Sequence, residues 1–157
     1  MNADTTAAMD TPYSSGVQER SEEDQPHPTA NKKVSVIFCT KNSASTIENA
    51  IYAVKDSRYN PDIIVVDGFS NDKTVDIAKR AGASEIIQQP ERKFPGKGIA
   101  MKAGIEEAKK RNADIALFLD SDIKNLTGEW VNCLVGPILD SGYDMTRGFY
   151  ERHARDA

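Results

Sequence analysis

Large apolar side chains are sparse over residues 1–31 and then arrive in short, dense runs. The first stretch is rich in Thr, Ser, Asp, Glu, Gln and Pro. It cannot bury enough surface to offset the entropy of ordering, so a disordered polar tail is expected there, followed by one domain over 32–157. From Lys32 the character changes. Val34-Ser35-Val36-Ile37-Phe38-Cys39 is a β-branched run of the kind that forms a buried strand, and runs at 62–67, 85–88 and 115–119 supply three more. Ile47, Ala50, Ile51 and Val54 recur at helical spacing, which predicts a helix over 45–56 opened by the capping box Ser45-Thr46-Ile47-Glu48. A second helix is expected after the turn Gly68-Phe69-Ser70-Asn71-Asp72, capped by Ser70 or Asp72 and stopped at Ala81-Gly82. A third runs from Gly96-Lys97-Gly98 to about Arg111. Beyond the fourth strand, Thr127 can cap a helix that sets Trp130, Leu134, Val135, Ile138 and Leu139 toward the core, is kinked at Pro137 and ends at Gly142. Residues 143–150 read as a further strand.

Strands that alternate with helices imply parallel neighbours joined by crossovers. The expected fold class is therefore α/β: a Rossmann-like, mostly parallel sheet with helices on both faces. In such sheets ligands bind beyond the carboxyl ends of the strands, where the strand order reverses. The chemically distinctive residues of this chain fall at those ends: Cys39 to Asn42 after the first strand, Asp67 and Gly68 after the second, Asp120 and Asp122 after the fourth.

The last of these is the most informative. Leu117-Phe118-Leu119 stops abruptly at Asp120-Ser121-Asp122, and in an extended segment the two carboxylates would project to one side. Mg²⁺ favours one or two protein carboxylates completed by phosphate oxygens of a substrate. Gly96-Lys97-Gly98 lies where a helix begins, with free N–H groups, a positive dipole end and a mobile cation for an anion. A carboxylate pair and such a turn in one domain point to a diphosphate ligand. The glycine spacing fits neither the P-loop nor the dinucleotide fingerprint.

Composition narrows the class. The net charge of -4 over 157 residues comes with no basic block, so nucleic acid is not an expected partner. No apolar stretch is long enough to span a bilayer and no signal peptide is recognisable, which suggests a cytoplasmic protein. Cys39 and Cys133 are far apart and read as reduced, partly buried thiols, neither a disulfide framework nor a zinc site. His27, between two prolines, and His153, near the chain end, receive no role.

Taken in order, Val34 to Ile37 with Asn42, then Val65-Val66-Asp67 with Ser70, Asp72 and Thr74, then Asp120-Ser121-Asp122, resemble the nucleotide-sugar-binding half of GT-A glycosyltransferases of the family 2 type. More narrowly, Pro95-Gly96-Lys97-Gly98, the Asp-Ser-Asp triplet, 135–139 and 148–152 are similar in type and order to the glucosyl-3-phosphoglycerate synthases. The resemblance implies a hexosyltransferase. Asp122 would coordinate Mg²⁺ or Mn²⁺ on the diphosphate, with Asp120 and Ser121 near the ribose and metal and Lys97, with Gly96, beside the phosphates or sugar. Cys39, Thr40, Lys41, Asn42, Asp67 and Gly68 would line the base and ribose pocket. The implied donor is UDP-glucose or a GDP-sugar and the implied acceptor a small molecule such as 3-phosphoglycerate. A homodimer is left open. Two positions depart from the family pattern: Ser43-Ala44 follow Asn42 where an acidic residue is common, and Gly68 stands where an Asp or Ser is common. The acceptor-binding region is not matched, so a non-catalytic nucleotide-sugar-binding module is the alternative expectation.

Overall fold

The computed structural model describes residues 32–91 and 96–148. The expectations for residues 1–31, Pro95, 149–152 and His153 lie outside them. Four strands form, β1 (Val34–Thr40), β2 (Asp62–Asp67), β3 (Glu85–Gln88) and β4 (Ile115–Leu119). Four helices follow them in turn, α1 (Ile47–Lys55), α2 (Thr74–Ala81), α3 (Lys97–Lys110) and α4 (Gly128–Ser141). All pairings are parallel and the order is β3-β2-β1-β4. The chain moves outward from β1 through β2 to β3, then returns across the sheet to place β4 on the other side of β1.

That reversal decides which helix packs where. Right-handed crossovers put helices from opposite directions of travel on opposite faces. Accordingly α1, α2 and α4 cover the face formed by Val34, Val36, Phe38, Ile63 and Val65. α3 alone covers Ile37, Ile64 and Val66. The alternation of β1 and β2 between the two clusters is the period-2 pattern of a strand buried on both sides. α3 approaches closely because its inner stripe is Ala100, Gly104 and Ala108. A Cβ at Gly104 would stand 2.5 Å from the Ile37 Cγ2 methyl.

The expected apolar stripe of α1 is fully realised: Ile47, Ala50, Ile51 and Val54 are all buried. Its capping box is not. Ser45 is exposed, Thr46 occupies the N-cap with no side-chain bond, and the first turn closes on the Ser43 carbonyl, which accepts from the N–H groups of Thr46 and Ile47 at 3.0 Å. The preceding loop is instead pinned to α2: Thr74 Oγ1 accepts from Ser43 N at 2.8 Å and Asp72 Oδ2 from Ala44 N at 3.1 Å. Asp72 Oδ1 also accepts from Thr74 N, the first N–H of α2, while Ser70 accepts from Asn42 N and caps nothing. Gly82 and Gly142 end α2 and α4 in the left-handed conformation, as predicted.

The phase of α4 differs from expectation. Val131 and Val135 are buried, Leu134, Ile138 and Leu139 pack partly, and Trp130 is 43% exposed. A step of one residue turns a helix by about 100°, so burying Val131 and Val135 carries Trp130 outward. Cys133 is exposed for the same reason, not partly buried. Residues 143–148 form no strand; Thr146 Oγ1 donates to the Leu134 carbonyl and ties that segment back onto α4. Among the described residues no helix is long and apolar enough to cross a membrane.

Candidate active site

β1 lies at the reversal of strand order, with β2 on one side and β4 on the other, so its carboxyl end opens the crevice where such sheets bind ligands. A cleft of about 290 Å³ occupies that position. Six of the residues singled out from the sequence line it together: Cys39, Thr40, Lys41, Gly68, Gly96 and Lys97. Phe69, Gln89 and Ala100 complete the lining, and none of these three was singled out.

Each wall has a local cause. β1 and β2 run in register to the pair Thr40 and Asp67, and Gly68 N donates to the Thr40 carbonyl at 2.8 Å, so the two strands open at the same level. Gly68 sits tight there, since a Cβ would meet that carbonyl at 3.2 Å and Gln89 Oε1 at 3.5 Å. α3 supplies the opposite wall, and the small stripe that lets it lie close to the sheet carries Gly96 and Lys97 to the mouth.

Behind the cleft stands a polar frame. Asp67 is 3% exposed, and its carboxylate accepts from Ser70 N at 3.2 Å and from Gln88 Nε2 at 3.1 Å. Asn42 takes a left-handed backbone with φ of 51°, and its Oδ1 accepts from Asn71 N at 2.8 Å. Neither lines the cleft in this structure; together they fix the loops that do. Ser121 is buried as well, with its Oγ 3.1 Å from Thr40 Oγ1, which donates to Ser43 Oγ at 2.6 Å. This hydroxyl chain locks the end of β4 to the end of β1.

The acidic pair is presented differently from expectation. The strand stops at Leu119 and the chain turns at Ser121 and Asp122, so simple alternation along an extended segment does not apply. Both carboxylates are nevertheless exposed, because Ser121 takes the inward position. Asp120 forms an ion pair with Lys97 across the mouth of the cleft. Asp122 lines an adjoining hollow of about 330 Å³ with Thr46 and Asn49. The hydrogen bond from Lys97 to Asp120 holds the ammonium pKa above its ordinary value, with Asp122 adding a smaller contribution of the same sign. Lys97 therefore stays charged through the neutral range. Burial pushes the Cys39 thiol up to about 11, against the opposing pull of Lys97, so Cys39 is a neutral wall residue and not a thiolate nucleophile.

Among the described residues no group of three or more His, Cys, Asp or Glu is placed to hold a metal by itself. Two exposed carboxylates held apart by an anchored serine do fit a hard cation that draws its remaining ligands from a bound diphosphate.

Comparison with known proteins gives the same picture. The chain is 32% identical over 130 residues to glucosyl-3-phosphoglycerate synthase of Mycobacterium tuberculosis H37Rv, a match covering 78% of this chain and 39% of that protein. To the protein of the same name from Petrotoga mobilis it is 34% identical over 134 residues, covering 76% and 39%. Among solved structures, the M. tuberculosis synthase in complex with Mn²⁺, UDP and glucosyl-3-phosphoglycerate superposes with a TM-score of 0.61 at 30% identity, covering 71% of this chain and 41% of that one. The same enzyme with Mg²⁺ and UDP gives 0.60 at 31% identity. The chain thus spans about two-fifths of the length of the curated relatives it matches. The family model described as Glycosyl transferase family 2 matches residues 35–156, nearly all of the sequence beyond the polar N-terminal stretch. With a parallel GT-A sheet, a cleft at its switch point and an acidic pair beside a lysine, the chain belongs to glycosyl transferase family 2.

Proposed function

We propose that this chain is the donor-binding part of a metal-dependent glycosyltransferase that moves a hexose from a nucleoside-diphosphate sugar to a small phosphorylated acceptor such as 3-phosphoglycerate. The observation that carries the reading is the contact of Lys97 with Asp120 across the mouth of the cleft, with Asp122 beside it. Breaking the bond between the sugar and the diphosphate leaves negative charge on the departing phosphate oxygens. Positioned cations stabilise such charge more in the transition state than in the ground state. Lys97 donates N–H groups to those oxygens. Asp122, with Asp120, would hold Mg²⁺ or Mn²⁺, which supplies further positive charge to the leaving group. Asp67, Asn42 and Ser121 act indirectly, fixing the loops and the strand end on which the contacting groups stand.

The choice of donor and acceptor rests on likeness. M. tuberculosis glucosyl-3-phosphoglycerate synthase has been solved with Mn²⁺, UDP-glucose and phosphoglyceric acid, and it shares this sheet at 30% identity. Titration of UDP-glucose, GDP-mannose and UDP by calorimetry, with and without Mn²⁺ and on Asp122→Ala, tests the donor site. UDP-glucose binding that depends on Mn²⁺ and is lost in the variant is expected; binding that needs no metal and survives the substitution overturns the reading. Sugar transfer to 3-phosphoglycerate is assayed separately. Donor binding without transfer supports the second reading, a non-catalytic nucleotide-sugar-binding module.

A further inference from the structure

Two lining residues of the cleft have no part in the account so far. Phe69 is 37% exposed and holds a left-handed backbone, φ 61°, which is a strained conformation for a bulky side chain. Backbone strain of this kind persists where surrounding structure enforces it, and it clusters at ligand sites. Here the enforcement is visible: Gly68 N is bonded to Thr40 and Ser70 N to Asp67, so the chain on both sides of Phe69 is fixed. Gln89 is 7% exposed, and its backbone N–H donates to the Asp67 carbonyl at 2.8 Å. Its side-chain amide has no hydrogen-bond partner among the described residues, and its Oε1 lies beside the space left by the missing side chain of Gly68. The residue is nearly buried while its amide stays open to the cleft, so a ligand edge can pair with it in place of water.

We propose that Phe69 and Gln89 form the base subsite of the cleft, with Phe69 covering the face of the nucleobase and Gln89 pairing with its edge. The inference rests on the donor-site reading above and deepens it. A carboxamide offers one donor and one acceptor side by side, which matches a ring N–H next to a C=O, as in uracil or guanine. Gly68 keeps that amide accessible, because a serine there would bring a hydroxyl within reach of Gln89 Oε1. The aromatic face supplies affinity that tolerates any base, and the amide supplies a donor and an acceptor for its edge.

Calorimetry on the full chain in Mn²⁺, with UDP, GDP and inorganic pyrophosphate as probes, tests this. Phe69→Gly, which suits the left-handed backbone, and Gln89→Leu should each weaken UDP roughly tenfold while pyrophosphate affinity stays within about twofold. GDP binding by the unaltered protein at strength comparable to UDP assigns the edge to both bases, and much weaker GDP binding assigns it to uracil. Gln89→Glu keeps an acceptor for the ring N–H of uracil and loses the donor to the adjacent carbonyl, so it should weaken UDP less than Gln89→Leu does. UDP affinity unchanged in Phe69→Gly and Gln89→Leu overturns this inference alone. Equal weakening of UDP and pyrophosphate also overturns it, since the variants then damage the cleft and not a base contact. Failure of the unaltered protein to bind UDP at all overturns the donor-site reading, and this inference with it.

Discussion

At the amino ends of the strands the charged side chains join in ion pairs that tie elements together, while at the carboxyl ends Asp67 is buried among hydrogen bonds and Lys97, Asp120 and Asp122 face solvent. Arg111, just past α3, reaches Asp62 at 3.1 Å and Glu85 at 3.5 Å, so the helix is tied to the starts of β2 and β3. Lys33 adds a second contact to Asp62 at 3.0 Å, and Asp114 accepts from both the Lys32 ammonium and the Lys33 backbone. The carboxyl end has Lys97 with Asp120, whose side chains are 59% and 52% exposed, and it has Asp122 without an ion-pair partner among the described residues. An ion pair so exposed contributes little to stability. The two ends of one sheet therefore divide the work: the amino end holds elements together, and under the proposed function the carboxyl end holds charge ready for a ligand. Substitutions at one end should move stability and at the other binding.

The largest expected effect is on the metal-dependent part of binding. Asp122→Ala should lower the Mn²⁺-dependent affinity for UDP by about 100-fold or more, while unfolding free energy moves by less than about 0.5 kcal/mol. A large loss of stability in denaturant titration would break the comparison by making Asp122 a structural residue. Next comes Lys97→Met, for which pyrophosphate and UDP should both weaken roughly tenfold as a charge-assisted hydrogen bond is lost. Unchanged pyrophosphate affinity would remove Lys97 from the phosphate site.

Arg111→Met is the counterpart at the other end. It should cost about 1 kcal/mol of stability, because Asp62 and Glu85 keep partial access to water, and leave UDP affinity unaltered. The pH dependence sharpens this. Burial alone would raise the Asp62 pKa, but bonds from Lys33 and Arg111 outweigh it and hold the carboxyl below its ordinary value. A depressed pKa gives stability that is present above the unfolded value and lost as pH falls through the folded one. The gap between Arg111→Met and the unaltered protein should thus narrow below about pH 4 in chemical denaturation. The smallest effect separates the two thiols. At pH 8 iodoacetamide should modify exposed Cys133 well before Cys39, which burial keeps protonated up to about 11. Equal rates by mass spectrometry would contradict the neutral wall assigned to Cys39.

Much of this architecture is legible in the residue pattern because the strands are buried on both faces. Runs such as Val34 to Phe38 admit few alternatives, and the four strand positions and the core stripe of α1 follow from them. What failed to show are choices settled by distant partners. Ser45 and Glu48 form a capping box on paper, but the loop before α1 is held by Asp72 and Thr74, about 30 positions along, and Ser43 closes the first turn. Trp130 reads as core by residue type, yet the phase of α4 is set by Val131 and Val135. In the site, Lys97 and the acidic pair stand out because charge beside glycine or at a strand end is conspicuous. Gln89 and Phe69 do not, since an amide after a short strand and an aromatic in a turn gain meaning only once Gly68 is seen between Thr40 and Gln89.

The strand order also has a consequence in time. Asn42 meets Ser70 across 28 positions, whereas Thr40 meets Ser121 across 81. Longer loops cost more to close and slow the contacts that depend on them. The segment from β1 to β3 can therefore assemble from local crossovers first, with β4 arriving afterward to deliver Asp120 and Asp122. Stopped-flow refolding of conservative core variants should show Ile63→Val acting mainly on the folding rate and Leu119→Ala mainly on the unfolding rate. The reverse partition would mean that the acidic strand end is in place before the rest of the sheet. In the expected order, the cleft walls of β1 and β2 exist before the carboxylates reach them, and the last strand to dock turns a folded scaffold into a site.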